Sequence, residues 1–199
     1  MRVSMIVVLL ALASACAAKL TTADKSEHGG FTSKPLDDGS TDTLVDASEE
    51  EDWQQFDFDE GKESKAKREW DIAFSRFRIK TNGGENGPGG VYVAALPEQS
   101  FEELTRAPTS GFAEDSPDSD EDSDTDPDNV FNSGDEDWYN YNVMRHELSP
   151  KDISYVIAST EGAFFKFVID AYYNDAGDPA NLRFRWAEIE APDGEWKPD

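Results

Sequence analysis

An all-β fold, a single antiparallel domain ending in a meander, is what this chain of 199 residues predicts, on three observations. Large apolar side chains recur at every second position in short runs, turn-forming residues separate those runs, and no amphipathic helical pattern outlasts a few turns. The composition agrees: hydrophobic residues are only 37% of the chain but aromatics reach 12%, and aromatic side chains suit a half-buried pleated surface better than a helix.

The first element is an export signal. Arg2 precedes an apolar run from Met5 to Leu12, and Ala13-Ser14-Ala15-Cys16 sets small residues before the only cysteine. This predicts a lipoprotein signal peptide over residues 1–15 with lipidation at Cys16; a leader cleaved at an A-x-A site, or a buried thiol, is the alternative. The apolar run is too short to span a bilayer, so acyl chains at Cys16 would hold the protein at an outer membrane or cell surface through that anchor alone. With a single cysteine no internal disulfide forms, and packing must hold the fold. Residues 16–52, rich in Ser, Thr, Asp, Glu, Gly and Lys, read as a disordered acidic tether.

The β domain is predicted over residues 53–190, with residues 191–199 as a tail. Trp53 to Phe58 sets Phe56 and Phe58 on one side of a strand, and Lys62 to Arg68 reads as a basic, helix-tolerant connector. Trp70-Asp71-Ile72-Ala73-Phe74 alternates large with small or polar residues. Beyond Ser75 the apolar parity moves to Phe77 and Ile79, which indicates a β-bulge or two joined strands. Asn82-Gly83-Gly84 and Pro88-Gly89-Gly90 carry turn chemistry, and Val91 to Ala95 follows as a short strand. The segment 113–137 reads as a solvated acidic loop insert, because residues 114–137 hold 12 acidic and no basic side chains. The meander then runs through Trp138 to Val143, Ile153 to Ala158, Ala163 to Tyr173 and Asn181 to Ile189. In its third strand Phe165, Phe167, Ile169, Ala171 and Tyr173 share one face, predicted to be the buried one.

Charge and residue inventory limit the function. A net charge of −25 excludes nucleic acid and anionic membrane surfaces as partners, since both would be repelled. Two histidines, one cysteine and carboxylates gathered in a solvated run leave little from which to assemble a tuned acid, base or nucleophile, so a binding protein rather than an enzyme is predicted. Asp118, Asp120, Asp122, Asp124, Asp126 and Asp128 recur at every second residue and could present oxygens to calcium. Ser123 and Asn129 stand, however, where a helix-loop-helix calcium loop requires Gly and Glu, so the run reads as a solubilising loop or a weak calcium site. His146, in Val143-Met144-Arg145-His146-Glu147, is either an exposed loop histidine or a ligand at a strand edge, and Met144 is either filler or a soft axial iron ligand.

Trp70-Asp71-Ile72-Ala73-Phe74-Ser75-Arg76-Phe77-Arg78-Ile79-Lys80-Thr81-Asn82-Gly83-Gly84 resembles the HmuY family of haem-binding surface lipoproteins. The likeness continues through Trp138, Leu148-Ser149-Pro150-Lys151, Tyr155-Val156-Ile157, Gly162-Ala163-Phe164-Phe165-Lys166 and Tyr172-Tyr173, so it covers most of residues 53–190. The resemblance implies an all-β haemophore that takes part in iron acquisition and hands haem to an outer-membrane receptor. It implies axial ligation by Met144 or His146, with Tyr139, Tyr141 and Tyr155 near the macrocycle and Arg76 and Arg78 facing its propionates; Lys80, Arg183 and Arg185 are further propionate candidates, or the polar faces of strands. The family's best-known member grips iron between two histidines, and the first falls here in the His-free acidic insert. The competing class is a non-haem surface module that binds another ligand or a protein and responds to calcium through its insert.

Overall fold

The computed structural model describes residues 30–118, 127–132 and 137–198. The predicted signal peptide, Cys16, His28, Asp120, Asp122, Asp124 and Asp126 lie outside the described residues. In chain order the strands are β1 (Gly30–Pro35), β2 (Thr41–Asp46), β3 (Gln54–Asp57), β4 (Lys62–Glu63), β5 (Ile72–Ser75), β6 (Arg78–Thr81), β7 (Tyr92–Leu96), β8 (Phe112–Ala113), β9 (Tyr139–Asn142), β10 (Glu147–Pro150), β11 (Ser154–Ala158), β12 (Phe164–Ala171) and β13 (Asn181–Ile189). A single 3-10 turn, Gly84–Asn86, is the one helical element among the described residues.

Two sheets face each other across the core. The wide sheet has seven strands in the order β1-β2-β13-β12-β11-β7-β8, the narrow one four in the order β4-β3-β5-β6, and every strand pair in them is antiparallel. Alternation explains the packing: Phe165, Phe167, Ile169, Leu182 and Phe184 of the wide sheet meet Phe56, Ile72, Phe74 and Ile79 of the narrow one, all buried. Phe184 stacks on Phe74 at 5.3 Å and meets Phe56 edge-on at 5.6 Å, so aromatic rings fill the space between sheets. The opposite face of the wide sheet carries a smaller cluster in which Val156, Ala158 and Phe164 lie beneath Leu104, Ala107, Phe112 and the partly buried Trp196. Trp196 comes from the predicted tail and packs 4.9 Å from Phe112.

Three expectations change. Residues 30–46 belong to the fold, not to a tether. β2 lies along β13 from Thr41↔Trp186 to Asp46↔Asn181, with Thr43 and Val45 fully buried, and Phe31 of β1 packs 4.8 Å from Phe56. A polar segment folds here because the neighbouring strand supplies a backbone ladder, so a few inward side chains suffice. The connector after Lys62 is not helical; it begins with β4, paired to β3. On β12 a register shift between Ile169 and Ala171 moves the parity, and Tyr172 rather than Tyr173 becomes a buried member of the core. The parity change after Ser75 resolves as two joined strands, because Arg76, at φ 55°, turns the chain between β5 and β6.

The flanks of the acidic insert are also interior, contrary to a solvated loop. Asp115 is buried and works as a hub: its Oδ2 accepts hydrogen bonds from Thr81 N at 2.6 Å and Asn86 Nδ2 at 2.8 Å, and its Oδ1 accepts one from Val130 N at 2.9 Å. Burial pushes its carboxyl above the usual range, and these donors pull it back. Phe131 is fully buried between Tyr155 and Phe167, at 4.8 and 5.7 Å.

Candidate functional site

β9 and β10 form a two-stranded sheet of their own. Their register sets Tyr139 opposite Pro150 and Tyr141 opposite Leu148, while Asn140 faces Ser149 and Asn142 faces Glu147. Directly opposed residues share a face, so one side of this arm is apolar and the other polar. The base is held to the body: Trp138 is buried and donates through Nε1 to the Phe77 carbonyl at 2.9 Å, and the Leu148 N–H donates to Tyr173 Oη at 3.1 Å. Tyr139 meets Phe77 edge-on at 5.9 Å, so the β5–β6 turn extends the apolar strip.

Beyond Tyr141 the arm stands in solvent. Its turn is fixed locally: Asn142 Oδ1 accepts from Met144 N at 3.0 Å and Arg145 N at 3.2 Å, and His146 N donates to the Asn142 carbonyl at 2.8 Å. His146 closes the turn at φ 56°, a left-handed conformation that histidine tolerates better than branched residues do. That backbone lays its ring beside Tyr141, with Tyr141 Oη and His146 Nδ1 at 2.6 Å.

Exposure marks the arm. Among the described residues the exposed large apolar side chains are Leu44, Phe77, Tyr141, Val143 and Met144; four of these five lie on the arm or on the adjoining turn, and Met144 is 91% exposed. A folded protein rarely leaves such a group uncovered without a use for it. Sequence reasoning placed Tyr139, Tyr141, Met144 and His146 near one another, and the structure brings all four onto this arm. It missed Phe77 and Val143 as members of this surface, since it read Phe77 as sharing a strand face with Ile79 and Val143 as the end of a strand.

The other named residues go elsewhere. Tyr155 is buried in the core against Phe131 and Phe167, so it cannot line an open face. Arg76 lies 3.7 Å from Glu50. Arg78 and Lys80 sit over the Trp53 ring, at 5.5 and 4.1 Å, on the outer side of the narrow sheet. Arg183 grips Asp42 through two bonds of 2.8 and 2.7 Å, and Arg185 joins Asp170 and Glu102.

A second grouping had no local signal. Asp57, Asp59 and Asp71 are 14 residues apart at most, and β3–β5 pairing brings a carboxylate oxygen of each within 4.8 Å of the others. Asp71 is fully buried and accepts from Phe58 N and Thr160 N, both at 2.8 Å; burial first, then the Asp59 and Asp57 charges, push its carboxyl up to about 7. Ser159 Oγ donates to Asp59 Oδ1 at 3.1 Å, so the cluster joins the narrow sheet to the β11–β12 loop.

Comparison with known proteins bears on the fold and the family. A family model described as HmuY protein matches residues 49–186. None of the curated proteins matches the chain. Among solved structures, one from Bacteroides vulgatus described as an HmuY-like haem-binding protein has a TM-score of 0.60 at 18% identity, covering 79% of this chain and 96% of that one. The apo HmuY analogue of Tannerella forsythia gives 0.58 at 16%, covering 81% and 97%. A structure from Bacteroides fragilis described as a lipoprotein gives 0.59 at 18%, covering 82% and 97%. These likenesses establish the fold. No helix among the described residues is long and apolar enough to cross a membrane.

Proposed function

The chain belongs to the HmuY family, and from that premise we propose that it is a haem-binding protein, exported and lipid-anchored through Cys16, that captures haem for iron acquisition without catalysing a reaction. The observation that carries this reading is the apolar face of the β9–β10 arm: Tyr139 and Tyr141 continue from Phe77, and the strip ends at side chains able to reach a metal. The fit is chemical. A porphyrin needs flat apolar surface, which the rings of Phe77, Tyr139 and Tyr141 offer, and its iron needs a donor, which Tyr141, Met144 and His146 offer at the exposed tip.

The arm's own residues divide the work. Trp138 and Tyr173 fix its base, Asn142 fixes its turn, and the open rings present the face. Of the arginines first considered, Arg76 and Arg78 flank Phe77, with Arg76 3.7 Å from Glu50 and Arg78 over the Trp53 ring, while Arg183 and Arg185 hold acidic partners on the wide sheet. Arg145, at the tip and 3.9 Å from Glu147, takes the role of propionate partner in this proposal. Handing haem to an outer-membrane receptor is part of the same proposal, since an exposed, single-sided face lets a second protein cover the remainder.

Titrating the full-length chain with haemin tests the reading. A saturable shift of the Soret band at one haem per chain is the expected result, and no saturable change at micromolar protein overturns it. The anchor has its own test: radiolabelled palmitate should enter the chain in a bacterial host and fail to enter Cys16→Ala.

A further inference from the structure

We infer that a cavity at the far end of β12 from the arm binds a small organic ammonium, held between aromatic rings and the carboxylates of Asp59 and Glu188. Ala163 and Phe165 set the cavity at the start of β12, whereas the arm is held at Tyr173, beyond its end. The site shares no residue with the haem face, so neither reading depends on the other.

The cavity has a volume of about 250 Å³ and an aromatic floor of Phe58, Phe165 and Trp186. Phe58 stacks on Phe165 at 5.4 Å, and Trp186 meets these two rings edge-on at 5.5 and 5.9 Å. Gly61, in the turn between β3 and β4, forms a wall at φ 64°; a Cβ there would lie 3.2 Å from the Trp186 indole, so glycine lets the turn close onto the ring.

Register accounts for the charge at the mouth. Along β13, Leu182, Phe184, Trp186 and Glu188 alternate onto the face turned to the core. The first two are fully buried and Trp186 half-buried, while Glu188, opposite Phe165, ends the apolar row with a carboxylate at the cavity. Asp59 and Glu60 reach the same cavity from the β3–β4 turn. Glu60 is neutralised by Lys62 at 3.0 Å. Glu188 has no ion pair among the described residues, and Asp59, which accepts from Ser159 through Oδ1, keeps Oδ2 buried without a hydrogen-bond donor.

Two carboxylates without a cation, set beside ring faces, favour a positively charged ligand through both charge and the ring quadrupoles. A calcium ion would gain nothing from the rings and needs about six oxygens. A primary ammonium on a short alkyl body uses every part of the site: its N–H groups donate to the carboxylates, and its methylenes cover the rings.

The test titrates the full-length chain with pentylammonium chloride and follows the indole N–H signals by proton–nitrogen NMR, the Trp186 signal being identified by its absence in Trp186→Phe. That signal should shift to saturation with a Kd of about 1 mM or tighter. Glu188→Gln, changed at an exposed side chain, should keep the wild-type far-UV circular dichroism and weaken binding about fivefold, the weight of one charged contact at a partly open site. Pentanol, which lacks the charge, and pentyltrimethylammonium, which lacks the N–H donors, should each bind at least about fivefold more weakly than the amine. The inference is overturned if the Trp186 signal shows no saturable shift through about 50 mM pentylammonium, or if Glu188→Gln binds it as wild type does. It is overturned equally if pentanol or pentyltrimethylammonium binds as tightly as the amine.

Discussion

Asp71 makes the stability of this fold depend on pH in a direction opposite to that of most carboxylates. Its folded pKa is raised from 3.8 to about 7, so the folded state holds the proton more tightly than the unfolded chain does. The stabilisation from this group is therefore complete below about pH 4 and disappears as pH rises through about 7. A displacement of about three pKa units at about 1.4 kcal/mol each gives about 4 kcal/mol in all, of which about 3 kcal/mol falls between pH 5 and 8.5. That interval keeps so acidic a chain charged and soluble. Urea unfolding followed by tryptophan fluorescence should show the midpoint fall by roughly 1.5 M across it, taking a denaturant slope of about 2 kcal/mol/M. Repulsion among the remaining acidic groups also grows with pH, so Asp71→Asn supplies the comparison. The amide keeps one of the two acceptors that Phe58 N and Thr160 N require and turns its own N–H₂ toward the other. The variant should be about 1–3 kcal/mol less stable than wild type at pH 5, and should close or reverse that gap by pH 8.5. Parallel curves for the two proteins would refute the reasoning, because they would place the titrating proton elsewhere.

A chain beginning at Trp53 should fail to fold, since it lacks β1 and β2 and leaves the β13 edge and the core around Val45 open; far-UV circular dichroism and gel filtration against the full chain would show a loss of sheet signal and aggregation. Phe56→Ala should lower stability by about 3–5 kcal/mol, because its ring is fully buried among Phe31, Phe58, Phe184 and Trp186 at 4.8–5.7 Å, whereas Met144→Ala should stay within about 0.5 kcal/mol in the same urea assay.

The alternating aromatic runs made β3, β11, β12 and β13 legible before any coordinates, since each buries its large residues by its own pattern. β1 and β2 were not legible. Gly30–Pro35 and Thr41–Asp46 contain few apolar residues; β2 owes its burial to β13, a strand 135 or more residues away, and β1 joins the sheet only through β2. Asp115 was hidden for a related reason: in sequence it belongs to an acidic run, and only three converging donors from distant segments distinguish it from its neighbours. The bulge on β12 exchanged Tyr173 for Tyr172 in the core, an error that any strict period-two reading makes. At the arm, proximity of Tyr139, Tyr141, Met144 and His146 was readable because they are close in sequence. The pairing of Tyr141 with His146 was not, since it depends on one positive φ.

The placement of β1 carries a mechanical consequence. It is the outermost strand of the wide sheet, and Gly30, its first residue, sits at the open end of the β1–β2 hairpin opposite Asp46. If residues 1–29 fasten the protein to a surface, any drag on the body is delivered at Gly30. A load directed across the sheet parts the ladder one pair at a time from Gly30↔Asp46 toward Pro35↔Thr41, while a load along the strand must break all six pairs together. Peeling would strip Phe31 from Phe56 and Phe74 before reaching the strands behind them, so β1 is the first place where this domain yields to tension.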